Sequence, residues 1–214
     1  MARSKKAARE PIILEGRMLA TSWWGKAWNT NLEAYSDYEN RLPRARSYVR
    51  AGRVVDLKIE QGIVRALVQG TRRSPYKVAV QIAPLSAERF DKIKGMVGAR
   101  IENLEALVKG EFPEELANIF TDLDYGLFPS PDEIRFGCSC PDWAYMCKHV
   151  GAVLYGIGAR LDTDPLLFFT LRSIDMQVFL QKTIDERLEG MLERAAKPGS
   201  RVLDPGAVRE LFNV

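Results

Sequence analysis

The chain has 214 residues, of which 46% are hydrophobic, and its net charge is +3. This length suits one or two domains, and the apolar fraction is ordinary for a globular protein with a filled core. The chain contains no apolar run of about eighteen residues, which argues against a transmembrane helix.

The charges are unevenly distributed along the chain. Residues 1–80 carry sixteen Lys and Arg against seven Asp and Glu, whereas residues 81–137 carry six against eleven. This asymmetry predicts a basic surface on the N-terminal part and an acidic helical middle. The polar start Met1-Ala-Arg-Ser-Lys-Lys does not have the pattern of a secretory signal peptide, so we expect a reducing, cytoplasmic compartment.

The first predicted elements follow a basic tail, residues 1–20, that we expect to be disordered. A short helix beginning near Thr21 carries Trp23, Trp24 and Trp28. At helical spacing these indoles could form a ligand platform, but the pattern is more typical of a core.

A β-rich region is predicted over residues 21–85. Residues 47–83 have the pattern of antiparallel strands, with clear alternation in Val55–Glu60 and further strands at Ile63–Gln69 and Tyr76–Ile82. The period then changes, and residues 86–130 form a predicted helical region. Its helices are Ser86–Val97, Ile101–Lys109 and Pro113–Phe120.

The C-terminal part, residues 162–214, is also predicted to be helical. A long amphipathic helix carries an apolar stripe from Met176 to Met191, and a last helix begins at Pro205. The stripe is more typical of a core, although a partner helix could use it.

All three cysteines and the only histidine lie within twelve residues, at Cys138, Cys140, Cys147 and His149. In a strand, residues i and i+2 project to the same side, so we place the first two cysteines on a strand that ends at Pro141. The second pair cannot share one face of a regular helix. We therefore expect Cys147 in the turn before a helix and His149 in its first turn.

Three thiolates and one imidazole make a closed tetrahedral ligand set that suits Zn²⁺. Iron–sulfur clusters usually take four cysteines, and a reducing compartment disfavours disulfides. The sequence therefore predicts zinc, with free buried cysteines or redox chemistry as the alternatives.

The spacing C-x-C-x(6)-C-x-H resembles the signature of SWIM zinc fingers, and Cys138, Cys140, Cys147 and His149 match its four positions. The resemblance extends over roughly residues 20–175 and includes Thr21–Trp28, Arg46–Val54 and Gln69–Lys77. It implies a ββα zinc module, residues 131–161, that binds DNA or protein. Bacterial members of that family are often associated with Swi/Snf-type helicases.

With that module, the predicted fold is α+β, with an N-terminal antiparallel sheet, a helical middle, and the zinc finger packed with C-terminal helices. On this view, loss of a zinc ligand would unfold residues 136–155 and leave the N-terminal sheet folded.

A set of basic and aromatic residues is predicted to contact DNA, or RNA, through phosphates and stacked bases. The alternative is a solvated strand surface. The candidates are Arg41, Arg44, Arg46, Tyr48, Arg50, Arg53, Arg72, Arg73, Tyr76 and Lys77.

Two residues near the ligands have alternative roles. Asp142 either accepts a hydrogen bond from the metal-bound imidazole or caps the local turn. Lys148 either offsets the negative charge of the ligand set or points outward to a phosphate.

An independent enzyme is not expected, because the metal takes the only imidazole and every thiol, and no phosphate-binding loop or nucleophile elbow occurs. Two classes of function remain. One is a nucleic-acid-binding accessory factor of a Swi/Snf-type helicase, and the other is an adaptor that contacts proteins alone.

Overall fold

The computed structural model describes residues 8–34, 41–98, 106, 109, 111–122 and 124–196. Within them, seven α-helices accompany a four-stranded antiparallel sheet of order β1-β2-β3-β4, which confirms the predicted α+β class. The strands are β1 (Val54–Glu60), β2 (Ile63–Val68), β3 (Tyr76–Ile82) and β4 (Ile134–Cys138). The α-helices are α1 (Trp23–Ala34), α2 (Leu42–Arg50), α3 (Ala87–Gly98), α4 (Ala117–Thr121), α5 (Lys148–Thr163), α6 (Leu167–Leu171) and α7 (Met176–Ala196). None of these helices is long and apolar enough to cross a membrane.

The first three strands follow the alternation read from the sequence. In β2 and β3 every second residue is buried, and the residues between them lie nearer to solvent. Gly62 turns β1 into β2 with a φ of +67°, a left-handed conformation that glycine adopts without a steric penalty. One face of the sheet therefore carries the core residues Val64, Val68 and Val80.

Strand β4 ends at the predicted ligand Cys138 and pairs with β3. The segment that carries the predicted metal ligands is therefore joined to the N-terminal sheet. The register places Val78 opposite Cys138 and Val80 opposite Phe136. Residues 131–161 thus supply one strand and one α-helix, and the antiparallel partner of that strand comes from the N-terminal region.

Helix α5 is the centre of the molecule. Every residue from His149 to Gly158 is buried. Its glycines allow close approach, since a Cβ on Gly151 would lie 2.8 Å from the Cβ of Ala45 in α2. A Cβ on Gly156 would lie 3.0 Å from Leu57 of β1. The helix that carries the last predicted metal ligand, His149, therefore packs directly on both α2 and the sheet.

The prediction of strand structure from residue 47 is wrong for its first residues, because α2 runs from Leu42 to Arg50. Proline is favoured in the first turn of a helix, and Pro43 occupies that position. Ala45 and Val49, four residues apart, are both buried. This one-turn spacing gives α2 an apolar face even though arginines dominate its sequence.

Part of the expected disordered tail lies along the edge of the sheet. Ile12 is buried, and its N–H donates to the carbonyl of Val54 at 3.0 Å. The N–H of Leu57 donates to the carbonyl of Glu10 at 2.9 Å. These bonds satisfy backbone groups that an edge strand leaves unpaired, and they order residues 10–12.

Helix α1 is tied to α5 at its start. The carboxylate of Asp162 accepts the N–H of Ser22 at 3.2 Å and the hydroxyl of Thr21 at 3.0 Å. Trp28 is fully buried and donates its indole N–H to the carbonyl of Leu154. The prediction that Trp28 belongs to the core is therefore confirmed.

The predicted helix Ser86–Val97 corresponds to α3, and the helix predicted from Pro113 corresponds to a short 3-10 turn followed by α4. Two predicted helices lie outside the described residues. One is Ile101–Lys109, of which only residues 106 and 109 are described, and the other is the helix from Pro205. Along α7, Phe179 is buried, but the stripe predicted to be core turns exposed toward its C-terminal half, where Leu188 and Met191 are more than half exposed.

Candidate metal centre and its surface

The four predicted ligands converge in space. The ligand atoms of Cys138, Cys140, Cys147 and His149 all lie within 4.8 Å of one another. The Nδ1 atom of His149 is 3.9 Å from Cys138 Sγ and 3.8 Å from Cys147 Sγ. A tetrahedral metal bound by thiolate and imidazole would separate sulfur and nitrogen by about 3.6 Å. These residues therefore fit a metal ion.

Each ligand is placed by a defined element. Cys138 ends β4, and Cys140 follows two residues later. Cys147 is the N-cap residue of α5 in an extended conformation, and His149 is in the first turn of that helix. The predicted turn-and-helix placement of the second pair is confirmed, although the strand ends at Cys138 rather than Cys140.

The thiols of the site are electrostatically linked. A hydrogen bond from Cys138 lowers the pKa of Cys147, and the His149 ring and the Val150 N–H lower it further, while burial opposes them. The same contact raises the pKa of Cys138. The buried thiol at the start of α5 thus favours the thiolate, which is the form that binds a metal.

The imidazole of His149 is fixed by two aromatic rings. Its centroid lies 4.5 Å from that of Tyr76 and 5.4 Å from that of Tyr48. Its Nε2 atom is buried and has no hydrogen-bond partner among the described residues. Ring packing, rather than a hydrogen bond to Nε2, therefore holds Nδ1 toward the thiols.

Substitution of Gly70 by alanine should loosen this packing. The new Cβ would lie 2.5 Å from Cε2 of Tyr76 and 3.4 Å from Nε2 of His149, so the buried tyrosine ring must shift. Outer contacts of a metal-bound histidine change affinity by about 10- to 100-fold, and we expect the lower end of that range. Competition with a chromophoric chelator measures the change.

Gly137→Ala, next to Cys138 with open space around its Cβ, is the matched control. Equal metal affinity in both variants would contradict the packing role of Gly70.

The role of Asp142 is that of a turn residue. Its carboxylate accepts the N–H of Ala144 at 3.2 Å and forms an ion pair with Arg41. Lys148 is half-buried, and its Nζ atom lies 5.7 Å from the ring centroid of Tyr48.

Four of the candidate nucleic-acid residues lie on α2 rather than on a strand, and Arg41 is the N-cap residue of that helix. Arg46 is engaged by Glu33 at 2.8 Å and by the Tyr155 hydroxyl at 3.0 Å. Arg50 is exposed and donates to the carbonyl of Arg17. Arg44 is exposed in the first turn of α2.

The remaining candidates lie just before β1, in the turn between β2 and β3, and in the first two residues of β3. Arg53 is exposed just before β1, and Arg72 and Arg73 are exposed in the turn between β2 and β3. Tyr76 is buried, so little of its ring is left for a base, whereas Lys77 is exposed beside it. The guanidinium of Arg72 lies 5.5 Å from the Tyr76 ring centroid.

A comparison with known proteins identifies a relative. The chain is 32% identical over 193 residues to "Uncharacterized protein Rv2102" of Mycobacterium tuberculosis, and the match covers 87% of this chain and 69% of that protein. The chain belongs to the family of that protein. No protein-family model matches the chain, and no solved structure matches it.

One surface residue near the metal centre was not singled out from the sequence. Trp143, in the loop between Cys140 and Cys147, is 87% exposed. Its neighbours Ala144 and Met146 are buried. Nothing in the local sequence reveals which of these side chains faces outward, because that depends on how the loop folds around the ligands.

Proposed function

We propose that this chain is a zinc-stabilised module that binds nucleic acid next to its metal centre. One observation carries the proposal: Arg72 and Lys148 lie over Tyr76 and Tyr48, the two rings that pack on the ligand His149. Cations from separate parts of the chain thus gather at one side of the site. Zinc is the metal that best suits three soft thiolates and one imidazole.

The resemblance of the ligand spacing to SWIM zinc fingers supports the same proposal. It also motivates the prediction that the module serves a Swi/Snf-type helicase. That partnership stays a prediction, and the nucleic-acid contact is the part that the purified chain can test.

The cations available for phosphate contact are those without strong internal partners. Arg41 and Arg46 form ion pairs with Asp142 and Glu33, which reduces their net charge. The residues that remain as the phosphate-binding set are the half-buried Lys148 and the exposed Arg44, Arg53, Arg72, Arg73 and Lys77.

Nucleic-acid binding by the zinc-loaded protein should weaken steeply with salt. Each phosphate contact adds about −0.9 to the slope of log affinity against log salt on duplex DNA, and about −0.7 on a single strand. The double variant Arg72→Ala, Arg73→Ala should therefore bind all sequences less tightly, with a slope shallower by about 1 to 2. Fluorescence anisotropy over a salt series measures both quantities.

A matched control removes two positive charges from α7, as Lys182→Ala together with Arg194→Ala. This control should keep the wild-type slope. The proposal fails if the wild-type protein does not bind at low salt, or if both double variants behave alike.

An adaptor function is the second candidate, and α7 favours it. Ile184, Leu188 and Met191 recur at helical spacing and are 42%, 53% and 52% exposed, and Leu192 is 70% exposed. Such a stripe suits a partner helix or groove. The acidic middle of the sequence could also meet a protein partner, but two of its carboxylates, Glu102 and Glu105, lie outside the described residues. A metal-loaded protein that binds no nucleic acid in the salt series would favour the adaptor.

A further inference from the structure

The exposed indole of Trp143 differs from the other three tryptophans. Trp28 is fully buried, and the indole N–H groups of Trp23 and Trp24 donate to the carbonyls of Phe112 and Leu161. Trp143 is 87% exposed, and its N–H forms no hydrogen bond with the described residues. Its large apolar surface therefore has no role in the core.

The loop that carries Trp143 is held in place on both sides of it. Asp142 is fixed by Arg41 and by the N–H of Ala144. Tyr145 donates its hydroxyl to the carbonyl of Ile134 at 3.1 Å, and its ring lies 5.1 Å from that of Phe136. Cys140 and Cys147, two of the predicted metal ligands, lie at the two ends of the loop. The backbone that carries the exposed indole is therefore held in place on both sides.

A cation lies at one end of this loop. Lys148 directly follows the ligand Cys147, and its Nζ atom lies 5.7 Å from the ring centroid of Tyr48. Asp142, the residue before Trp143, forms an ion pair with Arg41, so the charge of this carboxylate is offset within the fold. Lys148 therefore remains for a phosphate that approaches the indole.

An exposed indole on a hydrogen-bonded loop, beside the cation of Lys148, has the two elements of single-strand recognition. Aromatic side chains stack on bases of any sequence, and cations follow the backbone. In a duplex the base faces are already covered by neighbouring pairs, so only an unpaired base offers its face to the indole.

We propose that Trp143 is a stacking platform for an unpaired base of single-stranded nucleic acid. This inference rests on the proposed function and names its substrate class. DNA and RNA strands share the required chemistry, so both are included in the test.

The experiment uses the full, zinc-loaded chain and labelled strands of about 12 nucleotides, within the usual site size of one binding fold. The strands are oligothymidine, oligouridine, an oligothymidine with abasic positions, and a duplex. Trp143→Ala should weaken binding to the two intact single strands by about tenfold and leave the salt slope unchanged. Trp143→Phe should retain most of the affinity, because a flat ring remains.

Leu192→Ala, which removes another exposed apolar side chain, is the matched control and should bind as the wild type does. The abasic strand should bind the wild-type protein as weakly as the intact strand binds Trp143→Ala. Duplex affinity should not change. Metal content and the urea midpoint of Trp143→Ala should equal those of the wild type, because the side chain is exposed.

Each other outcome overturns the inference. Equal single-strand affinity in Trp143→Ala and wild type would assign the indole to a protein contact, while the proposed function would stand. An equal loss on duplex and single strands would remove the stacking role. No nucleic-acid binding by the wild type would overturn the inference and the proposed function together.

Discussion

Cys147→Ser should abolish metal binding and unfold most of the described chain, rather than a local segment. Cys147 is 2% exposed and begins α5, the helix that packs on the sheet and on α2. Structural zinc contributes about 10–16 kcal/mol of apparent binding energy, which is of the size of a whole domain's stability. The sequence-based expectation that the N-terminal sheet would survive is not supported by this arrangement, because β4 and α5 belong to the same core.

Far-UV circular dichroism, urea unfolding and elemental analysis measure this effect together. Chelation of the wild-type protein should reproduce the loss of structure seen in Cys147→Ser. Met146→Leu is the matched control, because Met146 is buried beside Cys147, carries no ligand atom and is replaced at nearly constant volume. A wild-type protein that carries no metal, or a Cys147→Ser variant as stable as Met146→Leu, would refute the structural role of the ion.

Glu133→Ala should destabilise the protein by about 3–5 kcal/mol, the usual cost of leaving a buried charge without its partner. Arg172 is 1% exposed, and its Nη2 atom lies 2.7 Å from the Glu133 carboxylate. Arg89 lies 3.1 Å from the same carboxylate. Removal of Glu133 leaves two guanidinium groups facing each other in a place that water reaches poorly.

Urea unfolding at neutral pH measures the change, with Asp132→Ala as the control for an exposed neighbouring carboxylate. Glu133→Gln keeps the shape of the side chain and removes only its charge, so it separates the electrostatic effect from lost packing. Surface ion pairs contribute at most about 1 kcal/mol to the free energy of unfolding. A smaller decrease than this in both Glu133 variants would contradict the account of a buried ion pair.

The same ion pair predicts a pH dependence. Burial raises the pKa of Glu133, but Arg172, the Ser130 N–H and Arg89 outweigh burial, and the net shift is downward. A carboxyl whose folded pKa is depressed stabilises the fold fully above its unfolded pKa of about 4.3, and this contribution is lost as the pH falls through the folded value. The stability difference between wild type and Glu133→Gln should therefore shrink as the pH falls below about 4.

The sequence predicted the elements whose signals are local. The alternation of Val55–Glu60 and Tyr76–Ile82 identified the strands, and the gathering of every thiol and imidazole identified the ligands. The helix α2 was missed because its apolar face consists of only a few residues among arginines. An apolar pattern of so few residues is a weak helix signal. The arginines around it also fit the solvent face of a strand.

Long-range features had no local signature. The pairing of Cys138 with Val78 joins segments sixty residues apart in the chain, and no pattern in either segment specifies the other. The exposure of Trp143 depends on which side chains the loop buries around the ligands. The ion pair of Arg41 with Asp142 likewise joins residues that are 101 positions apart in the chain.

The carboxylate of Asp162 at the start of α1 has a consequence for synthesis on the ribosome. The N–H of Ser22 gains its acceptor only after the ribosome has added 140 further residues. At about 5–20 residues per second, this delay is about 7–30 s. During that interval the indoles of Trp24 and Trp28 lack their final acceptors, the carbonyls of Leu161 and Leu154, and their apolar rings lack the neighbours that later bury them.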